Sequence, residues 1–266
     1  MRRVSDARGS GLDILETGTG PSLVFLHGNE GMQGSEAFLD SLGRSFHVVA
    51  PDLPGFGKSE LPRWMNRVDD FAYPVMDLIE RSGLNDIVLV GVSLGSWVAS
   101  EIAVRSCERL KSLVLISPVG IKVGPRDELD MPDLFAMSVE DSHRIMFANP
   151  EYASRDFGVM SDEQLTAIAQ ARETVALTTW EPYMYNPKLR HLLHRIIVPT
   201  LVLSGSDDAF TSARYTQSFA GLIPNATSAT IAAAGHFAHI EQTVAVAEAI
   251  ANFAALDNQP RKRKVS

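Results

Sequence analysis

The chain has 266 residues, of which 45% are hydrophobic and 21% are charged, and its formal net charge at pH 7 is −8. These values fit a globular protein with a sizeable core, and the acidic balance argues against nucleic acid as the main partner. The single cysteine, Cys107, excludes a disulfide bond within the chain. Because no apolar run has the length of a signal peptide or a membrane span, we expect a cytoplasmic protein.

The first 118 residues predict alternating strands and helices. The apolar runs and the helical patterns that separate them lie, in chain order, at residues 22–26, 36–43, 46–49, 68–81, 87–90, 94–105 and 113–116. Near-continuous apolar strands separated by helices indicate a parallel sheet covered by helices on both faces.

The pattern changes after residue 118, because no further strand is evident up to residue 195 and helical periodicity dominates. The helical patterns lie at residues 134–137, 139–147, 162–178 and 187–194. Strand patterns return at residues 200–203 and 228–232, and an amphipathic helix follows at residues 243–254.

Three parts are therefore predicted. Residues 1–118 and 196–258 form an α/β core, and residues 119–195 form a helical insertion after the sixth strand. We call residues 119–195 the insertion. Residues 259–266 form a basic stretch, for which we expect a solvated, disordered tail.

One serine motif lies between an apolar strand pattern and a helical pattern. Residues 91–95 read Gly-Val-Ser-Leu-Gly, which is the G-x-S-x-G pattern of a nucleophile elbow. A sharp turn there holds Ser93 in a strained conformation that presents its hydroxyl, and Gly91 and Gly95 leave room for the neighbouring strand and helix. The helix N-terminus also favours negative charge beside the serine. Ser93 is therefore the candidate nucleophile.

A nucleophilic serine needs a base, and the base needs an acid that orients it. His236 directly follows the last predicted strand, where α/β folds gather their site residues, and is the candidate base. His239 is a rival, for which we expect capping or packing. After the strand pattern at residues 200–203, Asp208 is the preferred acid by position and Asp207 is the alternative. The order Ser, Asp, His is the one that accompanies such an elbow.

The loop after the first predicted strand reads His27-Gly28-Asn29-Glu30. The backbone N–H groups of Asn29 and Leu94 are the expected donors of an oxyanion hole. His27 is expected to support this loop. Glu30 either adds a polar group to the floor of a pocket or is solvated, and the sequence leaves both interpretations open.

No metal or cofactor is predicted. Residues 52–59 end in Gly-Lys-Ser, but Asp52 stands where a phosphate-binding loop needs its first glycine. His191 and His194 share a helical face, yet no further cluster of His, Cys or acidic residues completes a metal site.

Taken together, these motifs resemble the α/β-hydrolase superfamily along nearly the whole chain. The matching segments are residues 27–28, 52–59, 91–95, 199–203, 208 and 235–236. The resemblance implies an eight-stranded, mostly parallel sheet, a cap domain between strands six and seven, and no cofactor. It makes Ser93 the nucleophile, Asp208 the acid and His236 the base of a catalytic triad.

Within the superfamily, the serine elbow is similar to that of esterases, cofactor-free haloperoxidases and hydrolases of carbon–carbon bonds in ring-cleavage products. The last group typically carries Gly-Asn-Ser-Met-Gly-Gly and a tryptophan after the histidine, where this chain has Val92, Leu94, Ser96 and Phe237. We therefore expect a serine hydrolase of a carboxylic ester, with lactones and thioesters as related substrates. The alternatives are carbon–carbon bond hydrolysis and a ligand receptor with little turnover.

The substrate pocket is expected between the core and the insertion, which is rich in methionine and aromatic residues. Most of these side chains form the core of the insertion, and some give the pocket an adaptable apolar wall for a medium-sized acyl or aromatic small molecule. Arg172 and Arg190 either bind a substrate carboxylate or lie on solvated helix faces. We expect a monomer or a homodimer. The candidate pocket residues are Glu30, Trp180, Tyr183 and Phe237.

Overall fold

A computed structural model describes the backbone of residues 2–5 and the whole of residues 11–153 and 156–256. The described residues form one sheet of eight strands, with the order β1-β2-β4-β3-β5-β6-β7-β8. The first two pairings, β1 with β2 and β2 with β4, are antiparallel, and the other pairings are parallel. The strands are β1 (Arg2–Ser5), β2 (Asp13–Thr17), β3 (Ser22–Leu26), β4 (His47–Pro51), β5 (Ile87–Val92), β6 (Leu110–Ile116), β7 (Thr200–Gly205) and β8 (Ala226–Ile231).

Helices and short 3₁₀ segments connect these strands. The α-helices are α1 (Glu36–Leu42), α2 (Ala72–Arg81), α3 (Leu94–Arg105), α4 (Val139–Met146), α5 (Asp162–Thr179), α6 (Ala213–Ala220), α7 (Ala238–Glu241) and α8 (Thr243–Leu256). The 3₁₀ segments are Val68–Phe71, Pro150–Ala153, Leu189–His191 and Leu193–Arg195. None of the helices in the described ranges is both long and apolar enough to cross a lipid bilayer.

The clearest strand and helix patterns in the sequence come from the centre of the sheet. All six residues of β5 are buried, because the strand lies between β3 and β6 and helices pack on the sheet. Every residue of α3 from Leu94 to Val104 is buried as well, including the carboxylate of Glu101. Buried parallel strands read as continuous apolar runs, so the predicted α/β sheet is confirmed at its centre.

The edges of the sheet and parts of the insertion differ from the prediction. The sequence did not locate β1 or β2. The residues of β2 read Asp-Ile-Leu-Glu-Thr, which is neither an apolar run nor a regular alternation of polar and apolar residues. The predicted helix at 134–137 is a turn, because the carboxylate of Asp133 accepts the backbone N–H groups of Phe135 and Ala136. The pattern at 187–194 forms two short 3₁₀ segments, and the pattern at 68–81 begins with another.

The insertion leaves the sheet after β6 and returns before β7. Its first residues pair with a segment near its C-terminal end, because the N–H of Asn186 donates to the carbonyl of Gly120 at 2.9 Å. The Asn186 side chain also donates to Glu101 Oε1 at 2.7 Å, which ties the insertion to α3. The predicted basic tail at 259–266 lies outside the described residues.

Candidate active site

Ser93 occupies the turn between β5 and α3 in a backbone conformation that L-residues rarely adopt, with φ of 51° and ψ of −115°. Its N–H donates to the carbonyl of Ile116 at 2.9 Å. A Cβ at Gly91 would overlap the Gly95 backbone, and a Cβ at Gly95 would overlap the carbonyl oxygen of Leu26. The two glycines of the motif therefore permit a turn this tight.

Ser96 also holds the elbow together, a role that the sequence did not reveal. Its Oγ lies 2.6 Å from the carbonyl oxygen of Gly91 and accepts the N–H of Ile116 at 3.1 Å. The side chain thus joins the end of β5 to the end of β6 beneath the turn. A hydroxyl inside a fully buried helix was the signal, because a buried hydroxyl needs partners.

His236 joins Ser93 to Asp208. Its Nε2 lies 2.8 Å from Ser93 Oγ, and its Nδ1 lies 2.9 Å from Asp208 Oδ2. The carboxylate can only accept, so Nδ1 carries the proton and Nε2 is left to accept from the serine hydroxyl. Ser93 and His236 have no exposed surface. The structure therefore brings the three predicted residues into one buried chain of contacts.

Asp208, rather than Asp207, lies in this chain. Its Oδ1 accepts the backbone N–H groups of Phe210 and Thr211, and the Thr211 hydroxyl donates to Oδ2 at 2.5 Å. Burial favours protonation of the Asp208 carboxyl, but the positive charge of protonated His236 and these hydrogen bonds lower its pKa below the usual value. Asp207 is exposed and accepts from Ser206.

The loop that follows β3 passes directly beside Ser93. A Cβ at Gly28 would lie 3.4 Å from the Cβ of Ser93, which brings the chain at Asn29 next to the elbow. Leu94 begins α3, so its backbone N–H has no acceptor within the helix. These are the two N–H groups that the sequence predicts as oxyanion donors.

Two buried histidines near the site are structural. His27 Nε2 accepts the N–H of Leu53 at 2.9 Å and its Nδ1 lies 2.8 Å from the carbonyl of Gly28, so it supports the loop as expected. Burial lowers the pKa of His27. His239 packs against aromatic rings behind the site, and burial, with the charge of His236, lowers its pKa to about 3. Both side chains are therefore neutral at pH 7.

A cavity opens between the core and the insertion, with about 840 Å³ of empty space including solvent at its mouth. Glu30 and Phe237, both predicted pocket residues, line it together with Asn29. Phe237 is 1% exposed, and its ring edge lies 3.0 Å from the position of a Cβ at Gly28. Phe237 thus borders both the cavity and the immediate surroundings of Ser93.

Trp180 and Tyr183, the other two predicted pocket residues, do not line this cavity. Trp180 lies just after α5, is 58% exposed, and packs edge-on against Phe135 with ring centres 5.6 Å apart. The Tyr183 hydroxyl donates to the carbonyl of Pro132 and accepts the N–H of Leu134. Burial raises the pKa of Tyr183 to about 12. Both rings therefore pack against Phe135, which itself lines the cavity.

The remaining walls of the cavity come from the insertion. The sequence placed these residues in the insertion but gave no sign of which of them face the core. Arg172 lines the cavity at an exposed position, whereas Arg190 donates to the carbonyl of Lys122. Across the described residues, no three His, Cys, Asp or Glu side chains cluster to hold a metal ion. The further wall residues are Leu134, Phe135, Val139, Ser142, His143, Met146, Phe147, Phe157, Ile168, Ala171 and Val175.

Comparisons with known proteins identify the family and the fold. A family model described as "Alpha/beta hydrolase family" matches residues 23–249. A 2-hydroxymuconate semialdehyde hydrolase from Pseudomonas putida is 26% identical, over 94% of this chain and 92% of its own. A thermophilic esterase from Thermogutta terrifontis superposes with a TM-score of 0.76 at 25% identity, covering 97% of this chain and 100% of its own. A serine hydrolase from the hydrocarbon-degrading bacterium Cycloclasticus zankles has the same fold, with a TM-score of 0.78 at 22% identity over 97% and 99%.

Proposed function

The chain belongs to the alpha/beta hydrolase family, and on that premise we propose that it is a serine hydrolase that cleaves a carboxylic ester through an acyl-enzyme on Ser93. The observation that carries this proposal is the chain of contacts from Ser93 through His236 to Asp208 beside a largely apolar cavity. Contacts of this kind turn a weakly nucleophilic hydroxyl into an effective one.

The acylation step uses the three side chains in sequence. Ser93 Oγ attacks the ester carbonyl carbon while His236 Nε2, 2.8 Å away, takes the hydroxyl proton. Asp208 is ionised and stabilises the imidazolium that forms. The backbone N–H groups of Asn29 and Leu94 bind the oxyanion. The imidazolium then gives its proton to the departing alcohol, and the acyl group stays on Ser93.

The deacylation step repeats this chemistry with water. His236 Nε2 takes a proton from a water molecule as the water oxygen attacks the acyl carbon. Collapse of the second tetrahedral intermediate returns the proton to Ser93 Oγ and releases the carboxylic acid. All the groups needed are side chains or backbone of this chain, so no cofactor enters the reaction.

The substrate class follows from the cavity. Its aromatic and aliphatic walls favour a medium-sized apolar acyl or aryl group, and we assign the insertion the role of a cap over it. Because Ser93 and His236 are buried, we infer that Phe237 or the insertion moves when the substrate enters.

The relatives support a second candidate, which is hydrolysis of a carbon–carbon bond in a vinylogous diketone. The relatives at 24–26% identity include a 2-hydroxymuconate semialdehyde hydrolase and a 2-hydroxy-6-oxo-2,4-heptadienoate hydrolase, both from Pseudomonas putida. Against this candidate, Val92 and Phe237 replace the asparagine and tryptophan that are typical of those enzymes. Of the two arginines considered for a substrate carboxylate, Arg190 contacts backbone carbonyls, whereas Arg172 lines the cavity.

The first test is a panel of 4-nitrophenyl esters from acetate to decanoate, assayed with the wild type and with Ser93→Ala. We expect ester turnover with an optimum in chain length, and a loss of roughly 10⁴-fold or more in kcat for Ser93→Ala. In parallel, 2-hydroxy-6-oxo-2,4-heptadienoate tests the second candidate through loss of its visible absorbance.

A fluorophosphonate probe separates the outcomes. Labelling of the wild type but not of Ser93→Ala, with preferred turnover of esters, supports the esterase. Labelling with preferred turnover of the dienoate replaces it with the carbon–carbon hydrolase. Labelling with no turnover of either substrate favours a receptor on this fold. Undiminished ester turnover by Ser93→Ala refutes the acyl-enzyme outright.

A further inference from the structure

Glu241 is a buried carboxylate that the triad mechanism does not use. It lies at the end of α7, five residues after His236, and is 8% exposed. Its Oε2 accepts the N–H of Gly235 at 2.6 Å and that of Ala148 at 3.3 Å, and its Oε1 accepts the N–H of Asn149 at 2.8 Å. One carboxylate therefore binds the loop that carries His236 and also the insertion.

A second contact joins the same two segments. The backbone N–H of His236 donates to the carbonyl of Met146 at 2.8 Å. Gly235 lies so close to the insertion that a Cβ there would come 2.6 Å from the backbone nitrogen of Ala148. The loop before the candidate base thus packs backbone-to-backbone on residues 146–149.

The first two residues of the segment 146–149 also form part of the cavity wall. The side chains of Met146 and Phe147 line it, and the Phe147 ring packs on Phe237 with centres 5.2 Å apart. A substrate that fills the cavity therefore contacts the segment to which the His236 loop is hydrogen-bonded.

From these contacts we propose that Glu241 is a positioning residue that couples the substrate-contacting wall of the insertion to His236. The proposal rests on the function proposed above. Charge-assisted hydrogen bonds to backbone N–H groups are stronger than neutral ones, and a carboxylate with two acceptor oxygens holds both segments at once. A well-fitted substrate then stabilises the catalytic position of His236, so that fit raises kcat rather than lowering KM alone.

The test is Glu241→Gln, because the amide keeps the size of the side chain but replaces one acceptor oxygen with a donor. We expect kcat for the preferred ester to fall roughly 10- to 100-fold while KM stays within about threefold. We also expect kcat to depend less strongly on acyl chain length in this variant than in the wild type. The rate of inactivation by the fluorophosphonate is expected to fall by a similar factor, which gives a readout independent of the substrate. Glu241→Asp keeps the charge and is expected to restore part of both rates.

Glu101→Gln is the matched control. Glu101 is also a buried carboxylate that ties the insertion to the core, through Asn186, but it lies on α3 and does not contact the His236 loop. We expect this variant to lose thermal stability while its kcat stays within about twofold of the wild type. If Glu241→Gln does not fold, the kcat, labelling rate and chain-length profile of Glu241→Asp are compared with those of Glu101→Gln instead.

Three outcomes overturn the inference. The first is a folded Glu241→Gln with unchanged kcat and labelling rate, and the second is an equal fall in kcat for Glu101→Gln. The third is a fall in kcat that leaves the chain-length profile intact. Absence of labelling and turnover in the wild type contradicts the proposed function instead, so the two failures are distinguishable.

Discussion

The two sides of the site are built by different means. On the core side, backbone atoms leave no room for a Cβ at Gly91 or Gly95, and buried hydrogen bonds fix Asp208 and His236. On the insertion side, the cavity wall consists of side chains projecting from α4, α5 and the turns around them. Backbone packing tolerates almost no change, whereas side-chain walls tolerate substitution. We therefore infer that the core mainly fixes the reaction and that the insertion mainly selects the substrate.

The largest effect is expected at the acid of the core side. Asp208→Asn removes the negative charge that faces His236 Nδ1 and allows the ring to adopt the wrong tautomer. We expect kcat/KM for the preferred ester to fall roughly 10⁴-fold. Steady-state kinetics of the purified variant measures the loss.

The neighbouring aspartate provides the control for that prediction. Asp207→Asn changes an exposed side chain that accepts from Ser206, so kcat/KM should stay within about threefold of the wild type. A larger loss at Asp207 than at Asp208 contradicts the assignment of the acid.

The second prediction concerns the packing of the elbow. Gly95→Ala places a Cβ against the carbonyl oxygens of Leu26 and His27, which belong to β3 and the loop after it and cannot move aside. We expect the free energy of unfolding in urea to fall by about 3 kcal/mol or more. Gly221→Ala is the control, because its nearest neighbour is 3.3 Å away and its φ of −63° suits alanine. An equal loss in the two variants refutes the special role of the elbow glycine.

The third prediction uses pH to test the core behind the site. In the folded protein, burial lowers the pKa of His239 to about 3, whereas in the unfolded chain a histidine titrates near 6.5. Below about pH 6.5 the unfolded state therefore binds the extra proton, and stability falls as the pH falls toward 3. The wild type should lose about 2 kcal/mol at pH 5 relative to pH 8 from this residue.

His239→Gln removes the titrating group, so its stability should depend less steeply on pH in this range. The lowered pKa of His27 acts with the same sign and leaves a residual slope in the variant. Urea unfolding at intervals between pH 5 and pH 8 measures both slopes. Identical slopes in the variant and the wild type contradict a buried, neutral His239.

The difference between the core side and the insertion side of the site also explains which residues the sequence could predict. Ser93, Asp208 and His236 follow strand ends, and a parallel sheet brings such ends together, so linear order sufficed to group them. Trp180 was expected near the site from its place in the insertion, but no sequence pattern indicates in which direction the chain turns after α5. Glu241 was missed because its partners at Ala148 and Asn149 are more than ninety residues away in the sequence. Contacts made by irregular segments leave no periodic signal.

The smallest expected effect lies on the insertion side. Phe135→Ala enlarges the cavity without touching Ser93, His236 or Asp208, since Phe135 lines the outer wall and is 36% exposed. We expect the optimum among the 4-nitrophenyl esters to move to a longer or bulkier acyl group, with a change of about tenfold in the ratio of kcat/KM between short and long esters. Leu177→Ala removes an exposed side chain of the same region that does not line the cavity, and should leave that ratio unchanged. If both substitutions shift the ratio equally, or neither does, the substrate is not selected by this wall. The division between a reacting core and a selecting insertion then fails, although the roles of Ser93, Asp208 and His236 are unaffected.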